Sequence, residues 1–172
     1  RGCGQIRKGA GGRSRHVQSG RKGGKGYLFL GKSGTGKSTH ARQWLHAFED
    51  AELLNDDNPI LRMMEENGEL KVRVYGSPWS GKTACYKNDS VTVQAIVKLS
   101  QAPTNELRSL RLPEAYAYVL SSSSGLKILP EMMDALYQSI STLIQTIPVY
   151  GLDCLPNTDA AIICYHGTQS CE

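Results

Sequence analysis

Gly31-Lys32-Ser33-Gly34-Thr35-Gly36-Lys37-Ser38 has the spacing G-x-x-x-x-G-K-[ST] of a phosphate-binding loop. Each residue type has a task in that chemistry. Glycines let backbone amides curl around phosphate oxygens, and a lysine at position 37 can reach the β- and γ-phosphates. The Ser38 hydroxyl can bind Mg²⁺, and a helix starting there points the positive end of its dipole at the anion. The implied ligand is a nucleoside triphosphate. Its candidate binding set is Gly31, Ser33, Gly34, Thr35, Gly36, Lys37, Ser38 and Thr39.

A second feature lies a short way downstream. Asp56 and Asp57 are adjacent, eighteen positions beyond Ser38. A carboxylate at a strand end beside a phosphate loop can hold Mg²⁺, as phosphoryl transfer requires. A second carboxylate can take a proton from an attacking hydroxyl. Adjacent acids also occur in ordinary turns, and Asn58-Pro59 makes a turn here plausible. Asp56, Asp57 and Lys37 are thus the candidate catalytic residues, with Ser38 and Asp56 the candidate metal ligands. The roles of the two acids are not divided, because coupled carboxylates titrate together.

These residues need elements to hold them. Tyr27 to Leu30 is a short apolar run that reads as a buried strand ending at the glycine-rich turn. Lys37 to Phe48 follows as a helix, with Ala41, Trp44, Leu45 and Phe48 on one face. Glu52 to Asp56 reads as a second short strand. Pro59 to Met64 and Glu69 to Tyr75 flank Glu65-Glu66-Asn67-Gly68, the pattern of a β-hairpin. Gly76 to Lys82 is loop-like. Val91, Val93, Ala95, Val97 and Leu99 alternate with polar residues, which predicts a strand with one face on the core. Pro103 to Leu120 reads as helix in two pieces broken at Pro113, and Ser121 to Gly125 as a loop. Pro130 to Ile147 has the clearest helical stripe, from Met132, Met133, Leu136, Tyr137 and Ile140 to Ile147. Tyr150, Leu152 and Cys154 suggest a strand. A last helix capped by Asn157 or Thr158 would bury Ala161, Ile162 and Tyr165. The expected class is α/β with a mixed, partly antiparallel sheet.

The loop, a short helix and then Leu53-Leu54-Asn55-Asp56-Asp57 resemble HPr kinase/phosphorylase and the phosphoenolpyruvate carboxykinase-like nucleotide-binding fold. Most other proteins with this loop place the metal-linked acid much farther along. The likeness covers about residues 27–165. Small bacterial HPr-kinase-like proteins carry segments similar to Gly76-Ser77-Pro78-Trp79-Ser80-Gly81-Lys82 and to Ile147 to Leu152. The resemblance implies ATP and Mg²⁺ as cofactors and a kinase acting on a protein serine or small-molecule hydroxyl. It also allows a homo-oligomer, since HPr kinases form rings. The chain departs from the family where HPr kinases carry an Arg-Gly-rich catalytic stretch, which argues against HPr itself as the substrate. Trp79 and Lys82 are candidates for a substrate loop, with an exposed hairpin loop as the ordinary alternative. Carboxykinase activity is not expected, because those enzymes are much larger and carry ligands not found here.

The family also places a His fifteen residues ahead of the first loop glycine, at the start of a strand. His16 has that spacing from Gly31, yet Val17 to Lys22 lacks the apolar strand pattern. The net charge of +4 is split in the same way. Residues 1–26 hold eight basic side chains, no acid and nine of the eighteen glycines, whereas residues 27–172 carry twelve basic and sixteen acidic side chains. Residues 1–26 are therefore expected to be a disordered or anomalous head, and residues 27–172 the nucleotide-binding domain. The abrupt join leads to the expectation that residues 1 to about 23 are translated out of frame or replace a native start. The head could neutralise nucleic-acid phosphates, but it has no Phe, Tyr or Trp on which bases stack, so a solvated tail is the expectation.

Five cysteines without a C-x-x-C indicate neither a disulfide framework nor a zinc ribbon. Cys154 and Cys164 read as buried free thiols. No apolar run is long enough to span a membrane, and a cytoplasmic location is expected. Two other functional readings compete with a kinase of this type. One is a nucleotide-binding regulatory module with little turnover. The other is a small-molecule kinase of the adenylate or shikimate type, which would need a parallel sheet and an Arg-bearing lid. An antiparallel strand pair directly after Asp57 favours the HPr-kinase-like reading over that second one.

Overall fold

The structure, a computed structural model, describes residues 15–55, 59–77, 87–123 and 130–169. In chain order the elements are β1 (Arg15–Lys22), β2 (Lys25–Lys32), α1 (Lys37–Ala47), β3 (Glu52–Asn55), β4 (Ile60–Glu66), β5 (Glu69–Tyr75) and β6 (Ser90–Gln101). They continue with β7 (Glu106–Ser109), α2 (Leu112–Ser122), α3 (Pro130–Thr146), β8 (Val149–Cys154) and α4 (Thr158–Gly167). The fold is α/β with a mixed, partly antiparallel open sheet. Six strands lie in the order β3-β1-β2-β6-β5-β4, while β8 pairs with β6 and β7 with β8.

The strand directions bring the chemistry to one rim. β2, β6 and β8 are parallel. β1 is antiparallel to both β2 and β3, so β3 runs with β2. The carboxyl ends of β2, β3, β6 and β8 therefore share a rim, where open α/β sheets bind ligands.

Helices cover both faces. α2 and α3 pack Ala115, Val119, Ile140, Leu143 and Ile147 against Leu28, Leu30, Ile96 and Val149. On the opposite face α1 and α4 bring Trp44, Ala161 and Cys164 onto Tyr27, Phe29, Val97 and Leu152. β2 is buried from Gly26 to Gly31 because both faces are covered, which explains its unbroken apolar run. Each large side chain removed from water there contributes about 1.5–3 kcal/mol.

The hairpin after Asp57 forms as expected. Asn67 and Gly68 have φ of 56° and 81°, the paired left-handed conformation whose twist suits a two-residue hairpin turn. β6 differs from its expected one-sided burial. Gly26 pairs with Val93 and Tyr27 with Ala95, so Gln94 is the extra residue of a bulge. The bulge swaps the faces: Val91 and Val93 join the α2/α3 core, while Ala95, Val97 and Leu99 join the α1/α4 core.

Four further expectations are corrected. Residues 106–109 are a strand rather than helix, pairing with β8, and Pro113 opens α2 at its first turn instead of breaking a helix. Ser121 and Ser122 belong to the end of α2, not to a loop. Leu45 and Ile162 lie on solvent-facing sides of their helices and are 45% and 38% exposed. Residues 15–26 are not a disordered head: β1 pairs through eight residues with β2, and the expected boundary at 26/27 falls inside β2. The hydrogen-bonding capacity of the backbone does not depend on apolar side chains, and β3 pairs on β1's other side. Residues 1–14 lie outside the described residues. Asn157 caps α4, its side chain accepting from the Ala160 amide at 3.1 Å.

Candidate functional site

Between β2 and α1 the chain turns through Ser33 to Gly36. Gly34 and Gly36 have φ of 82° and 102°, conformations open to glycine and strained for other residues. The turn closes on Lys32, whose carbonyl accepts from the Thr35 amide at 3.1 Å and the Thr35 hydroxyl at 2.6 Å. A Cβ at Gly31 would sit 3.2 Å from the Thr35 Cβ, so a side chain at the loop's first glycine would crowd Thr35. Gly36 stands at the N-cap of α1 and supplies no side-chain cap. Ser38 and Thr39 lie in the first turn of α1.

Lys37 is 7% exposed. Its ammonium donates to the carbonyls of Gly31 and Lys32, at 3.0 Å each. The charge thus sits over the end of β2, at the mouth of the turn. Gln101, the last residue of β6, donates from its side-chain amide to the Gly34 carbonyl at 3.2 Å and ties the loop to the central strand.

α1 is anchored from below by a buried aromatic group. His40 is 3% exposed, and its Nε2 accepts from the Trp44 indole at 2.9 Å. Phe29 meets the His40 ring edge-on at 4.9 Å. Desolvation lowers the His40 pKa to about 4, so the ring is neutral at pH 7 and its Nε2 stays an acceptor.

Asn55 ends β3 at the same rim. Its buried side-chain amide donates to the Ser77 carbonyl at 2.8 Å and to the Ser77 hydroxyl at 3.2 Å. The Lys87 amide donates to the Leu54 carbonyl at 3.1 Å, and the Gly76 amide to the Asp89 carbonyl at 3.2 Å. Ser77 and Lys87 are therefore both fixed against the end of β3. Asp56, Asp57, Trp79 and Lys82 lie outside the described residues.

β1 brings a further candidate to the rim: His16 pairs with Gly31 in the antiparallel ladder. On the same strand Arg21 donates from Nε to Glu52 at 2.6 Å and also bonds Asp89. Glu52 takes Lys87 at 2.9 Å as well. This group locks β1, β3 and the approach to β6 together. Its carboxylates sit below their usual pKa, Glu52 through Lys87 and then Arg21, Asp89 through the Ser90 amide and then Arg21.

The structure thus brings Gly31 to Thr39, and the backbone of His16, to one rim. Sequence reasoning missed Asn55, Gln101 and His40. Their signal was faint: a polar residue at a strand end, another at a strand end, and a histidine one helical turn past a phosphate-loop lysine. Cys154 and Cys164 are free thiols as expected, Cys154 only half-buried. Among the described residues no group of three or more His, Cys, Asp or Glu is placed to hold a metal. No helix among them is long and apolar enough to cross a membrane. A comparison with protein-family models finds no match, and neither does one with curated proteins.

Proposed function

We propose that this chain binds ATP with Mg²⁺ and transfers the γ-phosphoryl group to a hydroxyl acceptor, as a nucleotide-binding domain of the HPr kinase/phosphoenolpyruvate carboxykinase-like type. The observation that carries the reading is the turn between β2 and α1. It combines two glycines at positive φ, a helix start without a side-chain cap and a lysine ammonium held over the loop mouth. Backbone amides, a helix dipole and a point cation converge there on the space a phosphate chain would fill.

Two further features support the HPr-kinase-like reading over an adenylate- or shikimate-type kinase. An antiparallel hairpin, β4–β5, follows the acid pair, and β3 runs parallel to β2 so that its end faces the loop's rim. The donor set suits Mg²⁺ held mostly by phosphate oxygens, with Ser38 and Asp56 as its protein ligands. When bound, Mg²⁺ supplies neutralisation of charge on the β- and γ-phosphates.

The residues of the chain do the rest. Lys37 turns from its own loop carbonyls to the transferred group, the loop amides hold the nucleotide in line, and the acid pair takes the proton of the attacking hydroxyl. The hydroxyl oxygen bonds to the γ-phosphorus, the bond to the ADP oxygen breaks, and the products are ADP and a phosphomonoester. Catalysis of this kind is positioning and charge stabilisation.

The test is Mg·ATP binding, ATPase and phosphotransfer to cell-extract acceptors, with Lys37→Ala and Asp56→Asn. Lys37→Ala is expected to weaken binding by about tenfold or more, and Asp56→Asn to abolish most turnover while the nucleotide still binds. Turnover indifferent to both substitutions rejects the assignment.

A further inference from the structure

β4 ends the sheet on the side away from β3, and among the described residues it pairs with β5 alone. The ladder is regular over all seven residues, from Ile60 opposite Tyr75 to Glu66 opposite Glu69, with no shift of register. The other edges, β3 and β7, have four residues each. Edge strands present a row of unpaired backbone N–H and C=O groups, and proteins blunt them with lysine, proline or a bulge. Ile60 to Glu66 contains none of these three. Its charged residues are Arg62, Glu65 and Glu66.

The hairpin's charges are poorly matched within the chain. Val72 and Val74 belong to the α2/α3 core, with Leu61 and Met63 packed against it. Alternation therefore puts Ile60, Arg62, Met64 and Glu66 on the other face, beside Glu69, Lys71, Arg73 and Tyr75. On that face Arg62 stands directly opposite Arg73, and Glu66 directly opposite Glu69. Like charges placed so are destabilising. Arg73 reaches along the hairpin to Glu66 at 3.2 Å, and its Nε is buried without a hydrogen-bond partner. Arg62 is exposed, and among the described residues no carboxylate pairs with it.

A second copy can supply the missing partners. When two identical edge strands pair antiparallel about a two-fold axis, one residue lies opposite its own copy. Only three axes pair at least five residues of β4: those at Arg62, Met63 and Met64. An axis at Arg62 sets arginine against arginine. One at Met63 sets Arg62 against Met64 and Glu66 against Ile60. One at Met64 sets Arg62 of each copy against Glu66 of the other, twice. Each Glu66 then lies between Arg73 of its own chain and Arg62 of the other. On the opposite face the two Met63 side chains become diagonal neighbours, within reach of each other.

We propose that β4 is the interface of a homodimer, in which the two β4 strands pair antiparallel about Met64 and join the two sheets into one. The occupant of the edge is a second copy rather than a foreign peptide because the unmatched charges are complementary to themselves. Five paired residues from each copy make a small interface, so the dimer is weak and concentration-dependent.

The experiment is sedimentation velocity on the full chain from about 1 to 300 µM, where a small interface of this kind is expected to pass from monomer to dimer. Arg62→Glu sets Glu against Glu across the axis, and Glu66→Arg sets Arg against Arg. Each is expected to weaken association at least about tenfold. An equimolar mixture of the two variants restores both pairs, as does the double variant R62E/E66R. Both are expected to associate within about threefold of the parent, a recovery that a damaged fold does not produce. The proposal is overturned if the chain is monomeric throughout, if either single variant associates like the parent, or if neither the mixture nor the double variant recovers.

Discussion

Lys37 and His40 stand one helical turn apart on α1, and the physics of the two differs. Lys37 is buried as a cation because two carbonyls of its own loop solvate it. His40 is buried neutral, with the Trp44 indole as its hydrogen-bond donor. Its folded pKa of about 4 lies below the ordinary 6.5, so the unfolded chain binds the extra proton first. The stability it contributes is complete above about pH 6.5 and falls as pH drops toward 4, by roughly 3 kcal/mol in total. Thermal unfolding followed between pH 7 and pH 4 is expected to show this decline, and His40→Gln to flatten it. A pH profile unchanged by the substitution counts against the neutral buried ring.

β1 offers another test at single residues. The Ser19 hydroxyl is fully buried without a hydrogen-bond partner. Ser19→Ala removes that desolvation cost and is expected to raise stability by about 1 kcal/mol. Gly20 borders a small gap lined by Phe29, Ala41 and Trp44. A Cβ there would meet Glu52 O at 3.4 Å and Phe29 at 3.9 Å, ordinary contact distances. Gly20→Ala is expected to add about 0.5–1 kcal/mol, partly through the unfolded chain. Chemical denaturation midpoints check both, and a lowered midpoint in either variant contradicts the strand register.

Among the elements, the ends of β3 and β5 decide how the rim is built. A Cβ at Gly76 would sit 1.9 Å from the Lys87 carbonyl oxygen and 3.1 Å from that of Leu54, both backbone atoms with little room to move. Gly76→Ala is therefore expected to destabilise by more than about 2 kcal/mol and, on the proposed kinase reading, to weaken nucleotide turnover with it. Denaturation and ATPase assays on the same variant measure the two effects, and a variant as stable as the parent contradicts the close approach. Asn55 works at the same junction: its two bonds to Ser77 fix the start of the Gly76–Lys82 segment against β3. In α4 the Asn157 cap is expected to contribute about 1 kcal/mol, readable as the loss on Asn157→Ala. The bulge at Gln94 shifts the alternation, so that Val91, Val93 and Ile96 face α2 and α3 while Ala95, Val97 and Leu99 face α1 and α4.

For the molecule as a whole the most consequential element is β1. It lies between β2 and β3, so it is an interior strand rather than an edge. Removing residues 1–22 would leave β2 and β3 without their shared partner and the Arg21 group without its centre. That truncation is expected to abolish cooperative unfolding, a loss seen as a broad, low-amplitude thermal transition. A sharp transition equal to that of the full chain would mean that the sheet closes without β1.

Much of this was legible in the residues, and the limits have physical causes. The phosphate loop, the hairpin at Asn67-Gly68, α1, α3 and the Asn157 cap follow from local rules, where spacing and turn chemistry act over a few residues. β1 was hidden because its strand is held by backbone pairing on both sides, with little apolar patterning of its own. β7 was hidden because four residues carry too short a period to tell strand from helix. The bulge at Gln94 could not be read, because a period-two pattern is the same whether or not the strand changes face midway. Local sequence chemistry by itself determined that a glycine-rich turn with phosphate-loop spacing lies between a buried strand and a helix. Only the tertiary structure decided that the ends of β2, β3, β6 and β8 share one rim, and that β4 is left at an edge of the sheet. Those strands are far apart in the chain, and strand direction and register, set by the packing of both sheet faces, are what arrange them.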